Sequence, residues 1–179
     1  MDSKYFNLIV VLVIISVFSG IVLAETYKIT DPYIRLNAEK KQQKAVLEVM
    51  PGIERFEDIS KEGLSVFQGF DSKGNKRGIA FIAEGNGFGG TIRMMVGFNP
   101  ESNTLTGMTV LSHLETPGLG ARIQESWFQE QFKGKSADDP FIAKQDIDAI
   151  SGATISSKAV GDIIKDTLDK IKKVYGGEF

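Results

Sequence analysis

Two hydroxyls and a glycine stand together just before the last apolar segment of the chain, in the stretch Ser151-Gly152-Ala153-Thr154. Serine and threonine before a helix are ordinarily N-caps, worth about 1 kcal/mol. Ser156 and Ser157 lie nearer the apolar stripe and could serve as caps, which would leave Ser151 and Thr154 as surplus hydroxyls near unpaired N–H groups. Such a place favours a phosphate group. Since a helix terminus contributes only about 0.3–1 kcal/mol, a phosphate ester to a hydroxyl would solve the problem of retention.

Two further segments carry glycines at positions where a ligand could approach the backbone. Gly85–Gly90 has four glycines in six residues, which suits either close contact with a flat ligand or a plain flexible hairpin loop. His113–Gly120 joins a strand to a helix and could present N–H groups to an anion or a polarised ring. We interpret His113 as a strand-end histidine bonded to backbone rather than as a catalytic group.

Composition excludes several classes of chemistry. The 179 residues suffice for one domain of ordinary size, and the net charge of -2 argues against a nucleic-acid partner. The chain has no cysteine and one histidine, so we expect no disulfide, no metal site and no cysteine-ligated iron–sulfur cluster held by this chain alone. Its chemistry must come from a cofactor or from hydroxyls and carboxylates.

The N-terminal segment predicts a single transmembrane helix. Tyr5–Ala24 contains 20 consecutive uncharged residues, and a helix of that length spans about 30 Å, the thickness of the bilayer's hydrocarbon core. The alternative is a cleaved signal peptide ending at Val22-Leu23-Ala24. The apolar run exceeds the usual signal core of about 7–15 residues, and Lys4 is offset by Asp2, so a retained anchor is favoured.

Flanking charges do not decide the orientation of this anchor. Lys4 lies on one side, and Lys28 and Arg35 lie close on the other. A four-residue head before a long domain favours an extracytoplasmic domain.

The remainder predicts an α+β fold, with an antiparallel sheet packed with helices behind the transmembrane helix. Asp31-Pro32 is expected to open a helix that Pro51-Gly52 ends. Hairpin turns, one of them at 71–75, separate four expected strands, and no connection is long enough for a parallel crossover. The expected strands are 64–70, 78–83, 91–98 and 105–111, and the later helices Arg122–Phe132 and Ser156–Tyr175. We expect an anchor over 1–24, a connecting helix over 25–60 and a cofactor-binding domain over 61–179.

Together these segments resemble the FMN-binding domain family, and most of all the G subunits of Rnf electron-transport complexes. The C subunit of the sodium-pumping NADH:quinone oxidoreductase is a longer relative. The motifs Glu-Thr-Pro-Gly-Leu-Gly at 115–120 and Ser-Gly-Ala-Thr at 151–154 carry the resemblance. It implies that FMN is bonded through its phosphate to Thr154, attached from FAD with magnesium by a flavin transferase that recognises Asp148.

The same resemblance implies a set of cofactor-binding residues. Segment 115–120 would lie along the isoalloxazine ring, and Gly85–Gly90 would close part of the pocket, with Phe88 where tyrosine is more typical. The implied binding residues are Ser151, Gly152, Ala153, Glu115, Thr116, Pro117, Gly118, Leu119, Gly120, Gly87 and Phe88. No residue of this chain is expected to be catalytic itself.

The function that the resemblance implies is electron transfer in a membrane complex. The chain would carry electrons between ferredoxin and NAD, coupled to translocation of Na⁺ or H⁺, beside other membrane subunits. Two alternatives stay open: the FMN subunit of a sodium-pumping NADH:quinone oxidoreductase, and a non-redox anchored module that binds a phosphorylated ligand or a partner peptide.

Overall fold

The computed structural model describes residues 3–176 of the chain. The chain consists of two compact units, one ending at Lys41 and the other beginning at Gln42. The helices and strands are, in order, α1 Ser3–Val49, β1 Arg55–Asp58, β2 Val66–Phe70, β3 Lys76–Asn86, β4 Thr91–Asn99, β5 Thr104–His113, a 3-10 helix Gly120–Gln124, α2 Ser126–Glu130 and α3 Thr154–Tyr175.

Helix α1 is long and apolar enough to cross a membrane by length and composition, with a mean hydropathy of 2.8 in its most apolar window. It continues through Pro32, so the prediction of a separate helix opening at Asp31 is wrong. The Asp31 carboxylate does not cap a helix start. It accepts hydrogen bonds from Arg35 Nε at 2.8 Å and from the Tyr27 hydroxyl at 3.2 Å, both one turn away on α1, and Pro32 removes only one backbone donor.

The five strands form one antiparallel sheet in the order β1-β2-β3-β4-β5, which confirms the predicted fold class. The hairpin turn between β2 and β3 is held by Asp71, whose carboxylate accepts the N–H groups of Lys73 and Asn75, both at 2.9 Å. Strand β1 was not predicted. Its sequence Arg-Phe-Glu-Asp offers one apolar side chain, Phe56, which is half-buried.

Alternating side chains of the sheet enter two separate cores. On β3, Ile79 and Phe81 join the core that contains α3, whereas Ala80 joins the core that contains the end of α1. The smaller core consists of Ala45, Val46, Val49, Met50, Phe67, Ala80, Met95 and Leu111. One face of the sheet therefore packs against α3, and the other packs against the end of α1.

The end of α1 approaches the sheet very closely over β4 and β5. The Thr106 hydroxyl donates to the Val49 carbonyl at 2.5 Å. A Cβ atom added at Gly97 would overlap that carbonyl oxygen, whereas one at Gly107 would come no nearer than 3.4 Å to any atom of Val49. Gly97 is therefore the glycine that permits the contact.

The region predicted as one helix over Arg122–Phe132 is two short helices. Glu125 separates the 3-10 helix from α2 with an extended backbone, φ -68° and ψ 138°. Its carboxylate accepts two hydrogen bonds from Arg122, at 2.9 and 3.1 Å, and these bonds hold the pKa of Glu125 below its ordinary value. The single-helix prediction is wrong, because the extended backbone of Glu125 divides the segment into two short helices.

Helix α3 has the apolar stripe that its sequence predicts. Val160, Ile163, Ile164, Leu168 and Ile171 are all buried in the larger core. The helix begins at Thr154, two residues before the expected start, so the Ser-Gly-Ala-Thr motif runs directly into its first turn.

Candidate functional site

The three glycine-bearing segments singled out in the sequence meet at one cleft of about 330 Å³. This volume falls within the ordinary range of ligand pockets, about 300–1,000 Å³. The cleft is lined by Phe88, Glu115, Thr116, Leu119, Gly120, Gly152, Ala153, Thr154, Ile155 and Ser156.

Most of the expected site residues lie on this cleft, and four lie beside it. Pro117, Gly118 and Ser151 are exposed on the adjoining turns and are not among the lining residues. Gly87 lines a neighbouring groove of about 380 Å³, which shares Ile155 with the cleft. Ile155 and Ser156 are lining residues that sequence reasoning did not propose.

Thr154 is the first residue of α3, and no side chain caps this helix. The N–H groups of its first turn have no partner within the helix. Over residues 3–176, no side chain accepts a hydrogen bond from the N–H of Thr154, Ile155 or Ser156. The half-buried Thr154 hydroxyl thus lies at a helix end with free donors, which favours an anionic group.

Ser156 and Ser157, expected as possible caps, are used otherwise. The Ser157 hydroxyl donates to the Ala153 carbonyl at 3.0 Å and accepts the Ile150 N–H at 3.0 Å. The Ser156 hydroxyl donates to Glu115 Oε2 at 2.6 Å. The capping prediction for these two serines is wrong because each hydroxyl connects α3 to the segment before it or across the cleft.

Glu115 is buried, with only 4% of its surface exposed. Besides the bond from Ser156, its Oε1 accepts the Gly89 N–H at 3.0 Å. Its own N–H donates to His113 Nδ1 at 3.1 Å. This last bond confirms the interpretation of His113 as a strand-end histidine bonded to backbone.

At two glycines, Gly87 and Gly120, the Glu115 carboxylate leaves no room for a side chain. A Cβ atom at Gly87 would overlap Glu115 Oε1 and come within 2.6 Å of Ile92 Cδ1. One at Gly120 would overlap Glu115 Oε2 and come within 2.6 Å of the Ser156 hydroxyl. The glycine loop, Gly85–Gly90, is therefore packed closely against Glu115 at Gly87.

Exposed apolar side chains border the cleft. Phe88 is 70% exposed, Ile155 61% and Leu119 47%, and all three line it. A flat aromatic ring bound there would cover apolar surface that now contacts water, which is favourable. Lysine and arginine are absent from the lining residues, so the free N–H groups of α3 are the positive end of the cleft.

Asp148 lies outside the cleft with an exposed side chain. Its backbone is held by Gln131: the Asp148 N–H donates to Oε1 at 2.6 Å, and Nε2 donates to the Asp148 carbonyl at 3.4 Å. This arrangement presents the carboxylate to solvent from an ordered backbone, six residues before Thr154.

Comparison with known proteins gives the class to which this fold and cleft belong. A family model described as "FMN-binding domain" matches residues 87–169. The chain is 36% identical to the G subunit of the ion-translocating oxidoreductase complex of Methanosarcina acetivorans, over 98% of this chain and 99% of that one. It is 33% identical to the G subunit of the proton-translocating ferredoxin:NAD(+) oxidoreductase complex of Clostridium ljungdahlii, over 89% and 88% of the two chains.

Among solved structures, the C subunit of the Na(+)-translocating NADH-quinone reductase from Parabacteroides distasonis has the same fold. The TM-score is 0.60 at 20% identity, over 78% of this chain and 94% of that one. The chain belongs to the G-subunit family of ion-translocating oxidoreductase complexes, within the FMN-binding domain proteins. The resemblance drawn from the motifs is thereby confirmed, and FMN is the cofactor that the matched domain supports.

Proposed function

We propose that this chain is a single-pass, membrane-anchored electron carrier with FMN joined to Thr154 by a phosphoester, in an Rnf-type complex. The complex would move electrons between ferredoxin and NAD and couple this to ion translocation, as the names of the G-subunit relatives indicate for their own complexes. The observation that carries the proposal is the position of Thr154, which lies at the uncapped start of α3 on a cleft formed by all three motif segments.

The residues of the cleft suit FMN in both of its parts. Phe88, Leu119 and Ile155 offer exposed apolar surface to the ring, and the free N–H groups at the start of α3 suit the phosphate. When bound, the flavin supplies one- or two-electron exchange, which a chain without cysteine otherwise lacks. The task of the protein is to hold and orient the cofactor and to shield one side of the ring from water.

A covalent bond suits a cleft whose lining contains no lysine or arginine. Free N–H groups and a helix dipole contribute little to holding a phosphate, and a covalent bond removes the need for a cationic partner. Lys158, one turn beyond Thr154, forms an ion pair with Asp162 at 2.5 Å. We infer that maturation requires a flavin transferase with magnesium, which forms the bond from the Thr154 oxygen to the FMN phosphate of FAD and releases AMP. The exposed Asp148 would be its recognition residue.

The apolar segment of α1 would keep the domain close to its partners in the complex. Tethering of this kind raises the effective concentration to the millimolar range, about 1 mM for short connections. We propose that the flavin domain lies on the extracytoplasmic side, because a short N-terminal segment before a transmembrane helix usually stays in the cytoplasm when a long domain follows the helix. Added protease should digest the domain in spheroplasts, whose cytoplasmic membrane is intact, but not in inverted membrane vesicles. The reverse pattern would contradict this orientation.

The attachment site can be tested in the full-length chain coexpressed with a flavin transferase. On a denaturing gel, flavin fluorescence should migrate with the wild-type chain and disappear in Thr154→Ala. Thr116→Val is the matched control, because it removes a hydroxyl from the same cleft but not from α3, and it should keep the fluorescence. Fluorescence that persists in Thr154→Ala would refute the attachment site.

The alternatives make different predictions in the same membranes. The flavin of a sodium-pumping complex would be reduced by NADH, with quinone as the acceptor, and would not respond to ferredoxin. A non-redox module would show no flavin absorbance after coexpression with the transferase. Our proposal predicts that the bound flavin responds to reduced ferredoxin or to NADH through the assembled complex.

A further inference from the structure

Glu115 is a buried carboxylate for which the described ion pairs include no cation. Taking an unpaired carboxylate out of water is costly, so it persists only where hydrogen bonds satisfy its oxygens. Here Oε1 accepts the Gly89 N–H at 3.0 Å, and Oε2 accepts the Ser156 hydroxyl at 2.6 Å. Ser156 lies in the first turn of α3, where the helix dipole also favours a negative charge.

These bonds connect all three segments that form the cleft. Gly89 belongs to the glycine loop, Glu115 to the turn after β5, and Ser156 to the helix that presents Thr154. The close contacts of Gly87 and Gly120 with the same carboxylate show that the surrounding backbone is shaped to it. Each oxygen of Glu115 accepts one of these bonds, so the carboxylate is held between the glycine loop and the start of α3.

We propose that Glu115 is a positioning residue whose carboxylate holds the glycine loop and the start of α3 in one preformed cleft. The inference rests on the proposed function, because its purpose is to fix the ring-covering Phe88 and the Thr154 hydroxyl relative to each other. It also assigns a role to Ser156, whose hydroxyl is the second half of the connection.

Substitutions at position 115 separate this role from burial alone. Glu115→Gln keeps the shape and both bonds, since the amide oxygen can accept the Gly89 N–H and the amide nitrogen can donate to the Ser156 hydroxyl. Glu115→Ala removes both bonds, and Ser156→Ala removes one. Glu101→Ala, at the exposed turn between β4 and β5, is the control for loss of a glutamate.

The first measurement needs no flavin. Amide hydrogen exchange is followed in the full-length chain carrying Thr154→Ala, so that no cofactor is attached. Adding Glu115→Ala should speed exchange of the Gly89 amide by about tenfold or more, as expected for the loss of a hydrogen bond to a charged group. Glu115→Gln and Glu101→Ala should leave it within about threefold. Equal exchange in all four chains would overturn the proposal.

The second measurement reports on the attached flavin. In chains with intact Thr154, Glu115→Ala should still become fluorescent on a denaturing gel, because Asp148 and Thr154 remain. Its visible circular dichroism should fall to less than half of the wild-type signal, and its fluorescence anisotropy should show a fast local component. Glu115→Gln should restore both, and Ser156→Ala should lie between the two.

The two measurements distinguish failure of this inference from failure of the proposed function. If the wild-type chain acquires no flavin, the proposed function fails and this inference fails with it. If flavin attaches but Glu115→Gln is as disordered as Glu115→Ala, or Glu115→Ala is as ordered as wild type, only the positioning role is overturned. If Glu115→Ala does not fold, the contrast between Glu115→Gln and Ser156→Ala decides in the same way.

Discussion

At the scale of single residues, the acidic side chains of the cleft and of the segment before α3 differ in burial and in the hydrogen bonds that they accept. Glu115 is buried, and each of its carboxylate oxygens accepts a hydrogen bond. Asp146 accepts the N–H groups of Phe141 at 3.1 Å and Ile142 at 2.5 Å, and so holds the irregular segment before α3. Asp148, two residues later, has an exposed side chain. Asp146 therefore contributes to the stability of the folded segment before α3. Asp148 is accessible to a flavin transferase.

Asp148→Ala tests this division. Because its side chain is exposed, the substitution should change the midpoint of thermal unfolding by no more than about 2 °C, as expected for a change of about 0.5 kcal/mol or less. Flavin attachment, read as in-gel fluorescence per chain, should fall at least tenfold. Asp169→Ala, an exposed aspartate on the same chain's α3, should keep full attachment; equal attachment in the two variants would remove Asp148 from recognition.

Asp71 gives a pH-dependent prediction. The N–H and side-chain amide of Asn75, with the Lys73 N–H and Arg77, hold the pKa of this carboxyl below its ordinary value. A lowered folded-state pKa contributes stability above the unfolded value of about 3.9, and this is lost as pH falls through the folded value. Asp71→Asn should therefore unfold at a lower temperature than wild type at pH 7, with the gap narrowing below about pH 4. A gap independent of pH would contradict this origin.

At the scale of helices and strands, regular apolar patterns were predictable and charged or locally paired segments were not. The four expected strands and the stripe of α3 follow from alternating and helical spacing of large side chains. Strand β1 has one apolar residue in four, so pairing with β2, rather than its own pattern, makes it a strand. The backbone is extended at Glu125 and stays helical through Pro32, and the spacing of apolar residues predicts neither.

The candidate site follows the same rule. The Thr154 hydroxyl and the glycine loop are visible as motifs, because their residue types are unusual at those positions. The connection from Glu115 to Ser156 spans 41 residues of sequence and exists only once α3 packs on the sheet. The sequence offers only a serine near the start of the helical pattern, and that position does not distinguish a cap from a bond to a distant side chain.

The contact between α1 and the sheet supplies a matched pair of glycine substitutions. Gly97 and Gly107 pair across β4 and β5, but only a Cβ at Gly97 would overlap the Val49 carbonyl. Gly97→Ala should lower the free energy of unfolding by about 1–3 kcal/mol, the usual cost of overpacking. Gly107→Ala should cost clearly less. Thermal or denaturant unfolding measures both, and equal losses would show that the close approach is not the cause.

At the scale of the whole molecule, the chain divides functions between its two compact units. The first contains the apolar segment of α1, and the second, from Gln42 onward, contains the sheet, both cores and the complete cleft. The α1 residues that pack on the sheet, Ala45 to Met50, lie within the second unit. Folding of the cleft should therefore not require the apolar segment.

A chain shortened to residues 42–179 tests this separation. It should remain in solution after membranes are pelleted, unfold cooperatively, and still acquire flavin when the transferase is directed to the same compartment. The full chain should stay in the membrane pellet after a carbonate wash. A shortened chain that fails to unfold cooperatively would show that the apolar segment contributes to folding of the domain.

The most direct test of covalent attachment is mass spectrometry of the peptide that contains residues 151–157, from full-length chain matured with its flavin transferase. We predict that this peptide gains the mass of FMN less one water and that fragmentation assigns the addition to Thr154. An unmodified peptide, or an addition assigned to Ser151, would contradict the proposed attachment.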